Sequence, residues 1–183
     1  MAQIAETPCS ACPGKCCDEL AVTISVVDVA RIVRALNIPV YDLLARYVDE
    51  DPREKPYAFM IRRQPIALAM NPPGNKTSGC PFLLQIGETR RCGIYDIRPG
   101  TCRVYPFSRE KTRVYHKQGT LCPKRFRINE EEARRIHLEI DEYQRQWNIH
   151  AQFAREWNEN PPRHASFDKL LDFVEEIIEE GRI

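Results

Sequence analysis

The sequence predicts an α+β fold that is mostly helical, in which an irregular cysteine-rich region with short strands is followed by a C-terminal helical hairpin. Apolar residues recur at intervals of three and four in two C-terminal segments, whereas the middle of the chain is rich in proline and glycine. A hydrophobic fraction of 43% in 183 residues is enough for one modest core. We therefore expect a single domain over residues 1–183, with the cysteine-rich region at 1–126 and the hairpin at 127–183.

The first 48 residues are predicted to form two helices after a cysteine-rich run that proline and glycine interrupt. Ser25 is a suitable N-cap for the first helix, and Asn37 and Pro39 end it. The apolar residues of this helix recur at helical spacing: Val29, Ile32, Val33 and Leu36. A second, short helix is expected over residues 40–48, with three side chains turned inward: Leu43, Leu44 and Tyr47.

Residues 49–126 are predicted to form short strands between irregular loops. The apolar runs that indicate strands lie at residues 57–61, 66–70, 82–86 and 114–116. Such a segment has little core of its own, so something else must hold it together. Four cysteines lie inside it: Cys80, Cys92, Cys102 and Cys122.

The last part of the chain is predicted to be a helical hairpin that supplies a core and a lid. Asn129 followed by Glu132 is typical of a helix N-terminus, and this helix is expected to reach Asn158, a length of about 45 Å. Its apolar stripe consists of Ile136, Ile140, Tyr143, Trp147, Ala151 and Ala154. Two prolines interrupt the pattern, and Ser166 starts a second helix with the apolar face Phe167, Leu170, Leu171, Val174, Ile177 and Ile178.

The charges are unevenly distributed, although the net charge is only +1. Between Arg90 and Arg127 there are eleven basic and two acidic residues, whereas residues 128–183 hold 14 acidic and seven basic ones. Two interpretations stay open: the basic stretch pairs with the acidic helices, or it binds an anionic small molecule or protein partner. Nucleic acid is not the expected partner, because neither a C2H2 spacing nor an RNA-recognition aromatic motif occurs.

The cysteines indicate metal chemistry. Residues 1–7 lack the features of a secretory signal, and no apolar run approaches the roughly 18 residues that span a bilayer, so we expect a cytoplasmic protein without membrane segments. Persistent disulfides are rare in a reducing cytosol. Thiols there are more often metal ligands or redox groups, although disulfides and plain buried cysteines remain alternatives.

Four thiols lie within nine residues at the N-terminus: Cys9, Cys12, Cys16 and Cys17. The two-residue gap between Cys9 and Cys12 lets a tight turn direct both sulfur atoms at one metal. Cys16 and Cys17 point in different directions if the backbone is extended, so they are expected to serve different faces or sites. The predicted ligand set is all eight cysteines, holding zinc or an iron-sulfur cluster in one site or in two interleaved sites.

Arg98 and Arg103 lie near Cys102 in the sequence, where cations lower thiolate pKa values and offset the negative charge of a thiolate-bound metal. A site for a small anion such as a carboxylate or phosphate is the alternative role. Of the histidines, only His116 lies among the cysteines, and it is a weak ligand candidate. The others are expected at the surface or its boundary: His137, His150 and His164.

Several motifs together resemble the YkgJ-type cysteine-cluster family, whose members are described as zinc- or iron-chelating. The motifs are the run from Cys9 to Cys17, the CPFL at residues 80–83, the CGIY at 92–95, the RPGTCRVYPF at 98–107, and Cys122. This sequence has three residues between Cys12 and the CC pair, where the commoner family form has two.

The resemblance implies a metal-binding cysteine cluster, acting as a chelator or adaptor in an unassigned pathway. A similar cysteine-rich domain occurs in bacterial flagellin lysine methylases, so an iron-sulfur-dependent enzyme or electron-transfer component is the alternative. The sequence has no glycine-rich phosphate loop, no GxSxG elbow and no HExxH motif. Nucleotide-driven and hydrolytic chemistry therefore have no support, and enzymatic activity stays open.

Overall fold

The computed structural model describes residues 14–48, 56–72, 74, 78–122 and 128–183, so the predictions for Cys9 and Cys12 lie outside the described residues. The helices found there are α1 (Lys15–Glu19), α2 (Val26–Leu36), α3 (Val40–Leu43), α4 (Gly100–Val104), α5 (Glu130–Glu159) and α6 (Phe167–Glu179). The strands are β1 (Leu44–Val48), β2 (Phe59–Ile61), β3 (Gln64–Met70), β4 (Leu83–Ile86), β5 (Thr89–Cys92), β6 (Phe107–Glu110) and β7 (Arg113–His116). A short 3-10 helix covers Tyr95–Ile97.

The strands are all antiparallel and form one small sheet and two separate hairpins. The sheet has the order β1-β3-β2, and the hairpins are β4–β5 and β6–β7. An α+β fold with short strands is therefore present, and all four predicted strands are found within two residues of their expected bounds. The strands β1, β5 and β6 and the short helices α1 and α4 were not predicted.

The three long helices begin where their capping residues predict. Ser25 accepts a hydrogen bond from Asp28 N, and Asn37 ends α2 with a left-handed φ of 53°. Asn129 accepts from Glu132 N at the start of α5, and Ser166 accepts from Lys169 N at the start of α6. Among the helices of the described ranges, none has both the length and the apolar character needed to cross a membrane.

The prediction of one helix over residues 40–48 is wrong for its second half. Helix α3 ends at Leu43, and Leu44–Val48 form strand β1 instead. This strand pairs with β3 along its whole length, from Leu44 opposite Met70 to Val48 opposite Ile66. Tyr47 is 41% exposed, not turned inward as a helix would have placed it. Pairing with a distant strand outweighs the weak helical preference of a short segment.

The prediction that the middle of the chain has little core of its own is also wrong in part. Strands β2 and β3 contribute some of the most deeply buried side chains of the protein: Phe59, Ile61, Ile66, Leu68 and Met70. They pack with α2, α3, the C-terminal half of α5 and α6 in one hydrophobic cluster. We call these helices and the β1–β3 sheet the core region, and α1, α4 and β4 to β7 the cysteine region.

Helix α5 contacts both regions. Its first half packs against α4, β6 and β7, where His137 Nε2 lies 2.8 Å from Thr112 O, and its second half packs against α2 and β2. Trp157 of α5 contacts Phe173 of α6, with ring centroids 5.5 Å apart. Both predicted C-terminal helices are therefore present, whereas their pairing as a hairpin with a lid stays a prediction.

Candidate metal centre

Five cysteines from four separate segments line one cavity of about 110 Å³: Cys16, Cys17, Cys80, Cys92 and Cys102. Helix α1 carries the first two, the turn before β4 carries Cys80, the end of β5 carries Cys92, and α4 carries Cys102. None of these five thiols is in a disulfide. The fold thus brings together thiols that are up to 86 positions apart in the sequence.

Helix α1 places two sulfur atoms on the same cavity. Gly14 precedes it with φ +77°, and a Cβ there would lie 3.2 Å from Leu83 Cδ1, so a residue without a side chain suits this close approach. Cys16 Sγ and Cys17 Sγ are 4.0 Å apart. Two thiolates on one tetrahedral zinc are about 3.8 Å apart, since each Zn–S bond is about 2.3 Å. The expected divergence of this pair is wrong, because the backbone is helical here and not extended.

Backbone hydrogen bonds hold α1 against the turn that carries Cys80. Cys80 N donates to Cys17 O at 2.6 Å, and Gly79 N donates to Leu20 O at 3.2 Å. An ion pair between Arg90 of β5 and Asp18 of α1 adds a second connection, in which Arg90 Nη2 lies 2.6 Å from Asp18 Oδ1. These contacts join the N-terminal CC pair to the β4–β5 hairpin.

Helix α4 positions Cys102 by close packing on α5. A Cβ built at Gly100 would lie 2.9 Å from Gln146 Oε1 and 3.1 Å from Tyr143 Cδ2 of α5, so only glycine fits without displacing its neighbours. Thr101 Oγ1 also donates to Thr23 O at 2.9 Å. Cys102 is therefore held between α5 and the segment that leads into α2.

Burial disfavours the ionised form of most of these thiols and so raises their pKa values. It raises the pKa of Cys80 to about 11, and it raises the pKa values of Cys92 and Cys102, against which Arg98 acts in the opposite direction. A hydrogen bond between the two neighbouring sulfur atoms lowers the pKa of Cys16 to about 7 and raises that of Cys17. A cation that binds here must displace protons from most of its ligands.

The two arginines predicted to compensate the charge of the site differ in their surroundings. Arg98 lines the cavity, its guanidinium stacks 3.9 Å from the centroid of the Tyr95 ring, and its buried Nε has no hydrogen-bond acceptor in the described residues. Arg103 pairs with Glu139 of α5, with 3.0 Å between Nε and Oε2. Together with the Arg109–Asp141 pair, this contact supports internal pairing of the basic stretch with the acidic helices.

Cys122 and the histidines lie in other surroundings. Cys122 is not among the described residues that line the cavity, but its neighbour Leu121 donates from N to Tyr105 Oη at 2.6 Å, and Tyr105 does line it. His116 Nδ1 lies 3.1 Å from Lys117 O. The prediction for His150 is wrong: it is 1% exposed, because Val26 N and Tyr57 O both bond its ring inside the core.

Across the described ranges, no three His, Cys, Asp or Glu side chains form a group that could hold a metal ion as they stand. The donors that line the cavity nevertheless fit a soft metal, because they are thiols. Arg98, whose buried Nε has no acceptor among the described residues, is also part of the lining. Metal ligation by the eight cysteines and the roles of both arginines stay predictions.

A cavity lined by five thiols defines a thiol-rich site of the kind that binds zinc or iron. A family model described as "CxxCxxCC: Putative zinc- or iron-chelating domain" matches residues 8–139, so the chain belongs to this family, as the sequence motifs indicate. Comparison with curated proteins gave no match, nor did comparison with solved structures.

Sequence reasoning missed two contacts that support the site. Ser25-x-x-Asp28 is recognisable as a capping box, but nothing local indicates that Asp28 Oδ1 also accepts a hydrogen bond from Gly100 N, 72 residues away. The hydrogen bond from Leu121 N to Tyr105 likewise joins residues 16 positions apart in an irregular segment. Only the tertiary structure reveals these contacts.

Proposed function

We propose that this chain is a metal-binding cysteine-cluster protein, a chelator or adaptor in which the cavity thiols hold zinc or an iron-sulfur cluster. The observation that carries the proposal is the convergence of five thiols from four segments on one cavity. Cysteines retained only as small buried residues have no reason to line the same space from such distant positions. Cys9, Cys12 and Cys122 complete the proposed ligand set.

The lining of the cavity favours a soft metal over a hard one. Apart from the thiols, its described lining is largely apolar, with Leu20, Val22, Met70 and Ile94 among the residues, and it contains no carboxylate and no imidazole. Thiolates select zinc and iron-sulfur clusters, whereas magnesium and calcium prefer oxygen ligands. A metal bound there would supply a cross-link between the four segments or, as a cluster, a redox centre.

Arg98 is proposed to stabilise the loaded site. Four thiolates around a divalent ion leave a net charge of −2, which is costly in an apolar cavity. Arg98 reduces this cost because its cation already opposes the rise in the pKa values of Cys92 and Cys102. Its buried Nε–H is available to donate to a metal-bound sulfur atom. For Arg103, which pairs with Glu139, we propose a weaker, indirect role.

We also propose that the chain is a single domain that works in the cytoplasm, where thiols stay reduced. One hydrophobic cluster supports the first part of this statement, because it includes Cys80 and Ile94 of the cysteine-rich part together with Leu170 and Val174 of α6.

Anaerobic purification followed by metal analysis and visible absorption tests the metal proposal. Stoichiometric zinc in a colourless protein supports the chelator and excludes the redox alternative, whereas iron with sulfide in a brown protein supports a cluster and keeps the enzyme or electron-transfer alternative. Cys80→Ser and Cys102→Ser are expected to lose most of the metal. Met70→Leu is the matched control, because it alters the cavity lining without removing a thiol. Unchanged metal content in both serine variants would overturn the proposal.

A further inference from the structure

Asp28 is a buried carboxylate that connects the core region to the cysteine region. Its side chain is 1% exposed, and each of its oxygens accepts two hydrogen bonds. Oδ2 accepts from Ser25 N at 3.3 Å and from Ser25 Oγ at 3.0 Å, which completes the N-terminal cap of α2. Oδ1 accepts from Arg31 Nη2 at 2.6 Å and from Gly100 N at 3.1 Å.

The contacts of Oδ1 fix the backbone that leads to Cys102. Gly100 is the first residue of α4, two positions before that cysteine. The guanidinium of Arg31 bridges two groups, because its Nη2 also donates to Arg98 O at 2.9 Å. The segment that carries both a proposed ligand and its proposed charge partner is thus held from one side by Asp28 and Arg31, and from the other side by α5.

A second capping box in the same chain shows that capping alone does not explain Asp28. Glu132 occupies the equivalent position in α5, and its Oε2 accepts from Asn129 N at 2.9 Å. Glu132 is only partly buried, and the bonds that it makes in the described structure stay within its own cap. Capping of α2 therefore does not explain why Asp28 is buried. It also does not explain why Asp28 Oδ1 accepts a hydrogen bond from a residue 72 positions away.

We propose that Asp28 is the positioning residue of the thiol cavity, which sets the place of Cys102 and Arg98 by holding the N-terminus of α4. The metal part of this inference rests on the proposed function, whereas the positioning part does not. Asparagine cannot replace the carboxylate, because an amide offers one acceptor oxygen and a donor NH₂ group. Asp28→Asn can therefore serve either the cap of α2 or the Gly100 and Arg31 donors, but not both.

The test compares Asp28→Asn with Glu132→Gln, the same chemical change in the other capping box. In reduced, metal-free protein, we expect iodoacetamide to alkylate Cys102 at least tenfold faster in Asp28→Asn than in the unmodified chain, measured against Cys80 by mass spectrometry. Glu132→Gln is expected to change this ratio by less than twofold. An unchanged ratio in Asp28→Asn, or an equal rise in both variants, overturns the inference.

Cobalt(II) titration provides a second, spectroscopic measurement of the same inference. Asp28→Asn is expected to weaken cobalt(II) binding at least tenfold and to lower the sulfur-to-cobalt charge-transfer absorption, whereas Glu132→Gln keeps both. If the unmodified chain takes up no cobalt(II), zinc or iron, the proposed function fails, and the alkylation ratio still decides the role of Asp28.

A milder variant tests the same inference if Asp28→Asn does not fold. Arg31→Gln changes a side chain that is 27% exposed and removes the bridge to Arg98 O. We expect it to raise the alkylation ratio of Cys102 about threefold, with an unchanged far-ultraviolet circular dichroism spectrum. If Asp28→Asn does not fold, an unchanged alkylation ratio of Cys102 in Arg31→Gln contradicts the inference.

Discussion

The core region and the cysteine region are both built from short antiparallel strands and helices, but their strands differ in how far apolar burial stabilises them. In the core region, Phe59, Ile66 and Leu68 are almost completely buried. In the cysteine region, Leu84 and Ile86 of β4 are 47% and 57% exposed. The comparison indicates that similar local structures can depend on apolar burial in one place and on polar contacts in another, where we propose that metal-bound thiols contribute as well.

The energetic scale explains why the cysteine region needs such anchors. Complete burial of a large apolar side chain contributes about 1.5–3 kcal/mol, and the β2–β3 hairpin has several such residues. A two-stranded hairpin without this burial is marginally stable at best in water. The hairpins β4–β5 and β6–β7 each have only two strands. They therefore depend on contacts with α1, α4 and α5, and on the proposed metal.

Removal of the proposed metal is expected to have the largest effect and to distinguish the two regions. Structural zinc contributes about 10 kcal/mol or more to the folding of small thiolate sites. A chelator under reducing conditions should increase amide hydrogen exchange at least a hundredfold in residues 80–92, while α2 and the second half of α5 keep their protection. Mass-spectrometric hydrogen exchange measures this difference, and reconstituted protein is the control. An equal loss of protection from exchange in both regions would contradict the proposed difference between them.

A core substitution is expected to have the next largest effect, on the whole protein. Phe59 is fully buried against His150, Trp157 and Phe173, so Phe59→Ala should lower the free energy of unfolding by about 3–5 kcal/mol. Leu84→Ala in the exposed hairpin is the control and should change it by less than about 0.5 kcal/mol. Urea unfolding of the metal-free variants measures both values. A similar decrease in the free energy of unfolding in both variants would contradict the proposed difference between the core region and the cysteine region.

Acid is expected to weaken the core region through one histidine. Burial lowers the pKa of His150 from 6.5 to about 4, so between these values the unfolded chain binds a proton that the folded chain does not. Stability should therefore fall as the pH drops from about 6.5 to about 4, by a total of about 3 kcal/mol.

His150→Gln keeps a donor and an acceptor but removes the titration, so its stability should depend less on pH over this range than that of the unmodified chain. His164→Gln, at an exposed position, is the matched control. Urea unfolding of metal-free protein at pH 7, 5.5 and 4.5 measures the slopes. A slope unchanged by His150→Gln would exclude this histidine as the cause.

Loss of one hydroxyl group is expected to have the smallest effect, confined to the cysteine region. Tyr105→Phe removes the acceptor of Leu121 N, a contribution of about 1 kcal/mol, and should loosen the segment that carries Cys122. The alkylation rate of Cys122 should rise about fivefold, while that of Cys80 stays constant. Tyr115→Phe, which changes a more exposed tyrosine, should leave both rates unchanged.

The sequence by itself determined the features that depend on neighbouring residues. Three helices begin at capping residues, namely Ser25, Asn129 and Ser166, because each of these side chains accepts a hydrogen bond from a backbone N–H three residues later. The start of these helices therefore needs no contact with a distant segment. The motifs around the cysteines likewise identified the family, because spacing and residue type are readable without a fold. The proposed soft-metal chemistry follows from the thiols alone.

Tertiary structure decided what depends on contacts between distant segments. Residues 44–48 became a strand because β3 offered a partner, and His150 became a core residue because Val26 N and Tyr57 O bond both of its ring nitrogens. The same holds for the choice of five thiols that share a cavity and for the use of Asp28 to hold Gly100. Local preference cannot specify such contacts, because their free energy exists only once the chain has folded.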